Sequence, residues 1–479
     1  MRNIEKAIPS RKRILWYILF VVGPVLGTVA LIYMLSMSRT LDFLKWTKPL
    51  IGAVVLIAVF TFGIPIIGFL DIYVAFKNKE KRKIRLPSRG FWAFALIGII
   101  LTSGVLLIIT VPRYADSGDK PPQLMLMSQT GTNGIPDYAV TSWTAGQEPV
   151  ELTMGLASDS LTTTVADEYS EPSKAHAFLL TNLSPNTQYF YKLSNSETIY
   201  NFTTFSASDD TLHMAVASDV HIGAGTNDIA VTQNILSHIK DDANGFDTFF
   251  LPGDLVEYGF VDSQWKQFAE IFSPVTTHIP YRPSIGNHDG FFGGEQKFQQ
   301  YLYPDKVPSS TGSGLYYKIE INNIHIFVLD LEWGTETYTQ MQKEWFESEI
   351  SSVPTDDWTI VINHAMYYSS GVYIAGMSWW DNQEMIDEFE PLFIANDVDM
   401  VFSGHNHHLE VLNVSGICYN IIGGLGGHLD SMRDQAGTGS LWYQQGQYGF
   451  ADVDISGNTA TITYRDPDFN VLNTFEIYE

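Results

Sequence analysis

Five short segments of the sequence bring together most of its closely spaced aspartate, asparagine and histidine residues. In chain order they are Asp219-Val220-His221, Gly253-Asp254-Leu255-Val256-Glu257, Gly286-Asn287-His288-Asp289, His364 and Gly404-His405-Asn406-His407. Carboxylate, imidazole and amide groups suit divalent transition ions such as Mn, Fe or Zn. One ion needs fewer ligands than these segments offer, whereas two ions sharing one carboxylate could use Asp219, His221, Asp254, Asn287, His364, His405 and His407. We therefore predict a centre of two divalent metal ions.

Each segment follows an apolar run that is typical of a β-strand. Strand-like runs such as 212–217 alternate with helix-like runs at 228–239, 340–350 and 383–394. This alternation predicts an α/β domain of layered sheets flanked by helices over residues 211–479. Open α/β sheets place their ligands in the loops at the carboxyl ends of the strands, so the five segments are expected to meet there.

Residues 123–206 have a different pattern. Six short strand-like runs are separated by turn residues, and no amphipathic helix interrupts them. This pattern predicts an all-β sandwich. A short polar linker, 114–122, precedes it.

The N-terminal part of the chain contains three apolar stretches, near 14–35, 49–72 and 90–111. About 20 apolar residues suffice to cross a bilayer as a helix, so we predict three transmembrane helices within a membrane region at 1–113. The second connection carries seven Lys and Arg residues and the first only three, which favours a cytoplasmic N-terminus. The expected location is the cell membrane, with the lipid bilayer as a partner and the catalytic domain outside.

The charge of the chain is unevenly distributed. Residues 1–113 hold 16 basic and 4 acidic residues, which leaves 12 basic and 49 acidic residues for 114–479. An acidic domain repels polyanions, so no nucleic acid polymer is expected as a partner. The single cysteine, Cys418, excludes an intrachain disulfide. Nothing in the sequence indicates a protein partner.

The order D-x-H, G-D-x-x-E, G-N-H-D, H and G-H-x-H resembles the calcineurin-like metallophosphoesterase superfamily over about 212–430. The resemblance implies that a metal-bridging hydroxide attacks phosphorus. It implies that Asp254 bridges the ions. The first ion would also take Asp219, His221 and His407, and the second Asn287, His364 and His405. His288 would stabilise the transition state or protonate the leaving oxygen, and Glu257 would hold His288 in the required tautomer.

The region before the catalytic domain resembles a fibronectin type III module, with Tyr189 at the position of its corner tyrosine. Such a module ahead of the catalytic domain is similar to purple acid phosphatases. That branch has D-x-G where this chain has His221, and a tyrosine ligand where this chain has Glu257. Tyr258 stands one residue later. The expected fold class is therefore multi-domain: three transmembrane helices, a fibronectin III-like sandwich and an α/β metallophosphoesterase domain.

The predicted function is that of a membrane-anchored metal-dependent phosphoric ester hydrolase, acting on phosphomonoesters. The alternatives are a phosphodiesterase or pyrophosphatase on nucleotide or lipid head-group substrates, and a membrane-anchored binding protein with an inactive site. The full set of seven ligands argues against the inactive protein. Three further residues are candidates for substrate contacts: His428, Arg433 and Tyr367.

Overall fold

A nine-stranded and a seven-stranded sheet make up most of the described chain. The computed structural model describes residues 118–479, apart from 243–244, 375–376, 380 and 431–435. The first strands are β1 (Lys120–Thr130), β2 (Pro136–Trp143), β3 (Leu152–Gly155), β4 (Thr163–Val165), β5 (Ala175–Leu180), β6 (Gln188–Leu193) and β7 (Tyr200–Thr203).

The later strands and the helices alternate along the chain. The strands are β8 (Thr211–Val216), β9 (Thr248–Pro252), β10 (Tyr281–Ser284), β11 (Tyr317–Ile321), β12 (Ile324–Val328), β13 (Trp358–Ile362), β14 (Val372–Ile374), β15 (Met377–Trp379), β16 (Met400–Ser403), β17 (Leu409–Val414), β18 (Ile417–Ile422), β19 (Ser440–Gln444), β20 (Phe450–Ser456), β21 (Thr459–Arg465) and β22 (Val471–Tyr478). The α-helices are α1 (Ile229–Asp241), α2 (Asp262–Thr276), α3 (Asn287–Gly290), α4 (Glu295–Leu302), α5 (Gln340–Ile350) and α6 (Gln383–Ala395), and a 3₁₀ turn covers Phe291–Gly293.

The first seven strands form two layers. β1, β2 and β5 pair in that order, and β4, β3, β6 and β7 form a separate four-stranded sheet. Buried side chains from both sheets, such as Val140, Phe178 and Tyr191, belong to one hydrophobic core. The hydroxyl of Tyr189 accepts a hydrogen bond from the main-chain N–H of Ser184 at 3.0 Å, which ties the start of β6 to the preceding turn.

The nine-stranded sheet has the order β22-β21-β20-β8-β9-β10-β1-β2-β5. Its strand β1 pairs in parallel with β10, so the first layer continues into the sheet of the later domain. One sheet therefore runs through both regions, and it does not by itself separate them. The division into 123–206 and 211–479 stays a prediction.

Two sheets face each other in the α/β region and place helices on their outer faces. The second sheet has the order β11-β12-β13-β16-β18-β17-β19. Met214 and Phe250 of the first sheet share an apolar core with Ile360 of the second. α1 and α2 pack on the first sheet. α5 and α6 pack on the second, through side chains such as Phe346 and Phe389. This layering gives the expected α/β domain.

The predicted fold class and location need a correction. Among the helices that the structure describes, none combines the length and the apolar composition needed to cross a membrane. The prediction of a multi-pass membrane protein with three transmembrane helices is wrong on this finding. The predicted spans at 14–35, 49–72 and 90–111, and residues 114–117 of the linker at 114–122, lie outside the described residues.

Candidate metal centre

The five motif segments meet at one edge of the two sheets. β8, β9 and β10 run parallel to one another, as do β12, β13, β16 and β18. Parallel strands end at the same edge, so the loops that follow them converge there. The loops after β8, β9, β10, β13 and β16 carry Asp219, Asp254, Asn287, His364 and His405.

Several residues in these loops have a left-handed backbone conformation. Four of the predicted ligands have a positive φ: 63° at Asp219, 49° at His221, 52° at Asp254 and 69° at His405. Non-glycine residues rarely adopt this region, and such residues cluster at functional sites. A Cβ atom at Gly286 would collide with the carboxylate of Asp254, so a glycine is required for this close approach.

The first group of donor atoms comes from Asp219, His221, His407 and Asp254, which lie within reach of one ion. Nε2 of His407 lies 3.1 Å from Nε2 of His221 and 3.2 Å from Oδ1 of Asp219. Nε2 of His221 lies 3.8 Å from Oδ1 of Asp219 and 3.4 Å from Oδ2 of Asp254. These are the four ligands predicted for the first metal.

The second group of donor atoms adjoins the first at Asp254. Oδ1 of Asn287 lies 3.1 Å from Nε2 of His364 and 3.0 Å from Nδ1 of His405. The two histidine nitrogens are 3.3 Å apart. Oδ2 of Asp254, the atom that borders the first group, lies 3.2 Å from Nε2 of His364. The carboxylate of Asp254 therefore stands between both groups, as a bridging ligand must.

The spacing of the donors fits metal ions. An ion with ligand distances of about 2.0–2.1 Å in tetrahedral arrangement holds its ligands about 3.3–3.4 Å apart. The donor separations given above, 3.0 to 3.8 Å, lie around this value. Imidazole, carboxylate and amide donors without a thiolate suit Mn, Fe or Zn. The centre therefore fits two divalent ions.

Three histidines are held with Nε2 turned to the donor groups, because Nδ1 has a hydrogen-bond acceptor elsewhere. Nδ1 of His364 donates to the carbonyl of Pro252 at 2.7 Å. Nδ1 of His407 donates to the carbonyl of His428 at 2.6 Å. Nδ1 of His221 donates to the carboxylate of Glu257 at 2.9 Å. Such partners fix the tautomer and the ring orientation of a metal-ligating histidine.

Negative charge is concentrated at the centre. Burial opposes ionisation of Asp219, but hydrogen bonds from His221 and His407 outweigh it and hold its pKa well below the usual range. Burial also disfavours a charged His364, yet the carboxylate of Asp254 raises its pKa to about 9. For His405, burial and the charge of His364 lower the pKa to about 3. Buried carboxylates of this kind attract a cation.

His288 lies beside the first donor group without joining it. Its ring contacts that of His221 edge-on, with centroids 4.5 Å apart. Nδ1 of His288 donates to the main-chain carbonyl of Glu257 at 2.9 Å, and its side chain is 32% exposed. The opposite nitrogen, Nε2, can therefore meet a substrate.

The structure gives the carboxylate of Glu257 a second partner besides the predicted His288. Its carboxylate oxygen lies 2.9 Å from Nδ1 of His221 and 3.5 Å from Nδ1 of His288. The side chain therefore orients His221, a predicted ligand, whereas the main-chain carbonyl of the same residue orients His288. The carboxylate of Glu257 therefore contacts both histidines, with the shorter contact to His221, and its main-chain carbonyl also holds His288.

The structure describes two of the three predicted substrate contacts. The hydroxyl of Tyr367 donates to Asn363 at 2.8 Å, and its buried ring packs against Phe389 and Phe393. The prediction for Tyr367 is therefore corrected: it belongs to the core. His428 has an exposed side chain next to the centre and offers its carbonyl to His407. Arg433 lies outside the described residues.

Two residues at the centre were missed by the sequence reasoning. The carboxylate of Asp289 accepts hydrogen bonds from the N–H groups of Leu255, Val256 and Gly286, at 2.9 to 3.0 Å. It therefore joins the loops after β9 and β10, and its place directly after His288 was the available signal. The indole of Trp333 contacts His405 edge-on, with centroids 4.8 Å apart. No motif marks Trp333.

Comparison with known proteins gives a consistent result. Residues 212–409 match the family model described as calcineurin-like phosphoesterase. Purple acid phosphatase 18 of Arabidopsis thaliana is 28% identical over 246 residues, which cover 50% of this chain and 53% of the relative. The chain thus spans about half the length of the curated relatives that it matches.

Solved structures share the fold. The purple acid phosphatase PPD1 from yellow lupin (Lupinus luteus) seeds aligns over 74% of both chains, with a TM-score of 0.61 and 18% identity. A structure of PhoD aligns over 74% of this chain and 88% of its own, with a TM-score of 0.55 and 11% identity. At these identities the likeness concerns the fold alone.

Proposed function

We propose that this chain, whose residues 212–409 form a calcineurin-like metallophosphoesterase domain with purple acid phosphatase homologues, hydrolyses phosphomonoesters with the help of two divalent metal ions. One observation carries the proposal: seven donor side chains form two groups, 3.0 to 3.8 Å between neighbouring atoms, that share the carboxylate of Asp254. The proposed ligands are Asp219, His221, Asp254 and His407 for one ion, and Asp254, Asn287, His364 and His405 for the other.

Bound at these groups, two ions supply Lewis-acid polarisation of the phosphoryl group and a water molecule of lowered pKa. The protein orients the imidazole ligands through Pro252, His428 and Glu257. Nδ1 of His288 is held by the carbonyl of Glu257. In the doubly protonated ring Nε2 also carries a proton, and it donates this proton to the leaving oxygen, which leaves the ring neutral. Without this proton the leaving group would depart as an alkoxide, which is a strong base and a poor leaving group.

The choice of monoesters over diesters or pyrophosphate rests on the relatives. Among the similar proteins are phosphatases by name, including the phosphoenolpyruvate phosphatase of Allium cepa. The alternative is an inactive binding protein. One relative, from Arabidopsis thaliana, is named a probable inactive purple acid phosphatase. The seven donors and His288 argue for an active centre in this chain.

We also propose that residues 123–206 are a fibronectin III-like module beside a catalytic domain at 211–479. Its two sheets, β1-β2-β5 and β4-β3-β6-β7, support this division, as does the hydrogen bond between Tyr189 and Ser184. The pairing of β1 with β10 then holds the module against the catalytic domain.

The test is a substrate panel on the purified chain, treated with a chelator and resupplied with Mn, Zn or ferrous iron. We expect phenyl phosphate and glycerol phosphate to be hydrolysed faster than bis(4-nitrophenyl) phosphate or pyrophosphate. Asp254→Ala, which removes the shared carboxylate, is the matched inactive control. Faster hydrolysis of the diester or of pyrophosphate would mean that the chain is a phosphodiesterase or a pyrophosphatase instead. No hydrolysis with any metal would contradict it outright.

A further inference from the structure

Aromatic side chains stand beside both donor groups of the metal centre. The ring of Phe291 is stacked near that of His288, with centroids 6.5 Å apart and an angle of 22° between the planes. Tyr258 lies 6.4 Å from Phe291 and is 42% exposed. Next to the other donor group, Trp333 contacts His405. We call Tyr258, Phe291 and Trp333 the aromatic rim.

The chain segments that carry the aromatic rim lie against each other. The carboxylate of Glu332 packs on Gly290, where an added Cβ would come within 2.6 Å of both carboxylate oxygens. Glu332 directly precedes Trp333, and Gly290 directly precedes Phe291. The residues of the rim therefore come from two adjoining segments and from the loop that holds Glu257.

Trp333 is held in place through its main chain. Its N–H donates to the carboxylate of Glu336 at 3.0 Å, and its carbonyl accepts from the side chain of Asn382 at 3.0 Å. The side chain itself is half-buried. A positioned, partly exposed indole beside a metal ligand offers a preformed surface to a bound molecule, with little ordering cost on binding.

The position of His288 tells which part of the substrate meets the rim. In the proposed reaction, Nε2 of His288 donates its proton to the leaving oxygen, so the leaving group lies against His288. The surface next to His288 is formed by Phe291, with Tyr258 beyond it. The leaving alcohol therefore meets aromatic rings.

The charge of the chain narrows the choice of alcohol. Residues 114–479 contain 12 basic and 49 acidic residues. Such a surface disfavours leaving groups that carry additional negative charge, such as nucleotides with several phosphates. A neutral planar ring gains from the rim, because aromatic rings attract one another in offset and edge-to-face arrangements.

We infer that the aromatic rim is a specificity site for the ring of an aryl phosphate, a monoester whose leaving group is an aromatic alcohol. The inference rests on the proposed phosphomonoesterase activity and adds the substrate class. The ring packs against Phe291 and Tyr258 while the phosphate occupies the metal centre, and Trp333 adds an aromatic surface beside the other donor group.

Two non-hydrolysable analogues test the inference, because they share the phosphonate group and differ only in the ring. Competitive inhibition by phenylphosphonate and by methylphosphonate is measured on the metal-loaded chain. We expect phenylphosphonate to bind about 10-fold more tightly in the wild type. Tyr258→Ala and Trp333→Ala should each reduce this preference about 3-fold, with little change for methylphosphonate, in line with the energy of one aromatic pair.

Control variants distinguish a failure of this inference from a failure of the proposed function. Tyr478→Ala removes a tyrosine that is 68% exposed on β22, and it should leave the preference unchanged. Tyr258→Ala touches none of the proposed ligands, so its result stands even if Trp333→Ala loses metal. An equal affinity for both phosphonates, or a preference that survives in Tyr258→Ala, overturns the inference while the proposed function holds. If the wild type binds neither phosphonate and hydrolyses no monoester, the proposed function itself fails.

Discussion

At the scale of single residues, the imidazole rings depend on acceptors that are themselves fixed. Main-chain carbonyls of Pro252 and His428 hold His364 and His407, and these acceptors cannot rotate. His221 instead relies on the carboxylate of Glu257, a side chain that mutation can alter without changing the backbone. The first donor group is therefore the one whose ligand orientation can be tested by a single conservative substitution.

Glu257→Gln should weaken metal binding at the first donor group. The amide keeps the shape of the side chain but removes the charge that strengthens the hydrogen bond from His221, and losing such a partner typically costs about 10–100-fold in metal affinity. Titration calorimetry with Zn or Mn checks this. Glu270→Gln, on the exposed face of α2, is the matched control. Equal affinities in wild type and Glu257→Gln would mean that the contact with His221 is without consequence.

His288→Ala should retain both metal ions and lose most turnover. Nδ1 of His288 is bonded to the carbonyl of Glu257, and its side chain stands outside both donor groups. Removing a positioned acid typically lowers the rate about 10²–10⁴-fold. Elemental analysis beside kcat decides the point: loss of metal in this variant would make His288 a ligand.

The sequence could bring the candidate donor residues to one edge of the sheets, because each motif lies within a few positions of a strand end. It could not predict the role of Glu257. Whether its carboxylate faces His221 or His288 depends on the loop dihedrals, including the positive φ of 52° at Asp254. Trp333 could not be found either, since it approaches His405 from a loop far away in the sequence.

At the scale of elements, the half-buried His213 connects the first strand of the α/β region to its neighbours. Nδ1 of His213, on β8, donates to the carbonyl of Gly245 at 2.7 Å, and Nε2 lies 2.8 Å from Oδ1 of Asp452 on β20. Both partners are acceptors, so the ring needs both protons to satisfy them. Burial opposes the charge, but the hydrogen bonds to Asp452 and Gly245 outweigh it and raise the pKa of His213.

This arrangement predicts a pH-dependent contribution to stability. A pKa that folding raises gives stability that is fully present below the unfolded value of about 6.5 and is lost as pH rises through the folded value. His213→Gln should therefore cost about 1–3 kcal/mol at pH 5.5 and clearly less at pH 9. Urea unfolding at both pH values checks this. Asp452→Asn should show the same trend; a cost of His213→Gln that does not fall at pH 9 would contradict it.

Element boundaries followed the sequence patterns where the apolar spacing was regular. The helix-like runs at 340–350 and 383–394 correspond to α5 and α6. α2 was not predicted, although Trp265, Phe268 and Phe272 have helical spacing. The pairing of β1 with β10 lies beyond any local pattern, since it joins strands far apart in the chain.

At the scale of the whole molecule, the described residues belong to one compact unit, Ala115–Glu479. Two sheets with different strand orders bring residues from Asp219 to His407 to one edge. The centre therefore depends on the complete α/β region, because removing either sheet removes ligands of both ions.

The metal stoichiometry of the purified chain tests the two-metal centre most directly. It is measured by elemental analysis after chelation and reconstitution, together with monoester hydrolysis on the same samples. We predict about two ions per wild-type chain and hydrolysis that disappears with the chelator and returns with the metal. Asp254→Ala, lacking the shared carboxylate, should bind at most one ion and be inactive. Hydrolysis that persists after all metal is removed, or a fully active wild type with a single ion, would contradict the two-metal centre.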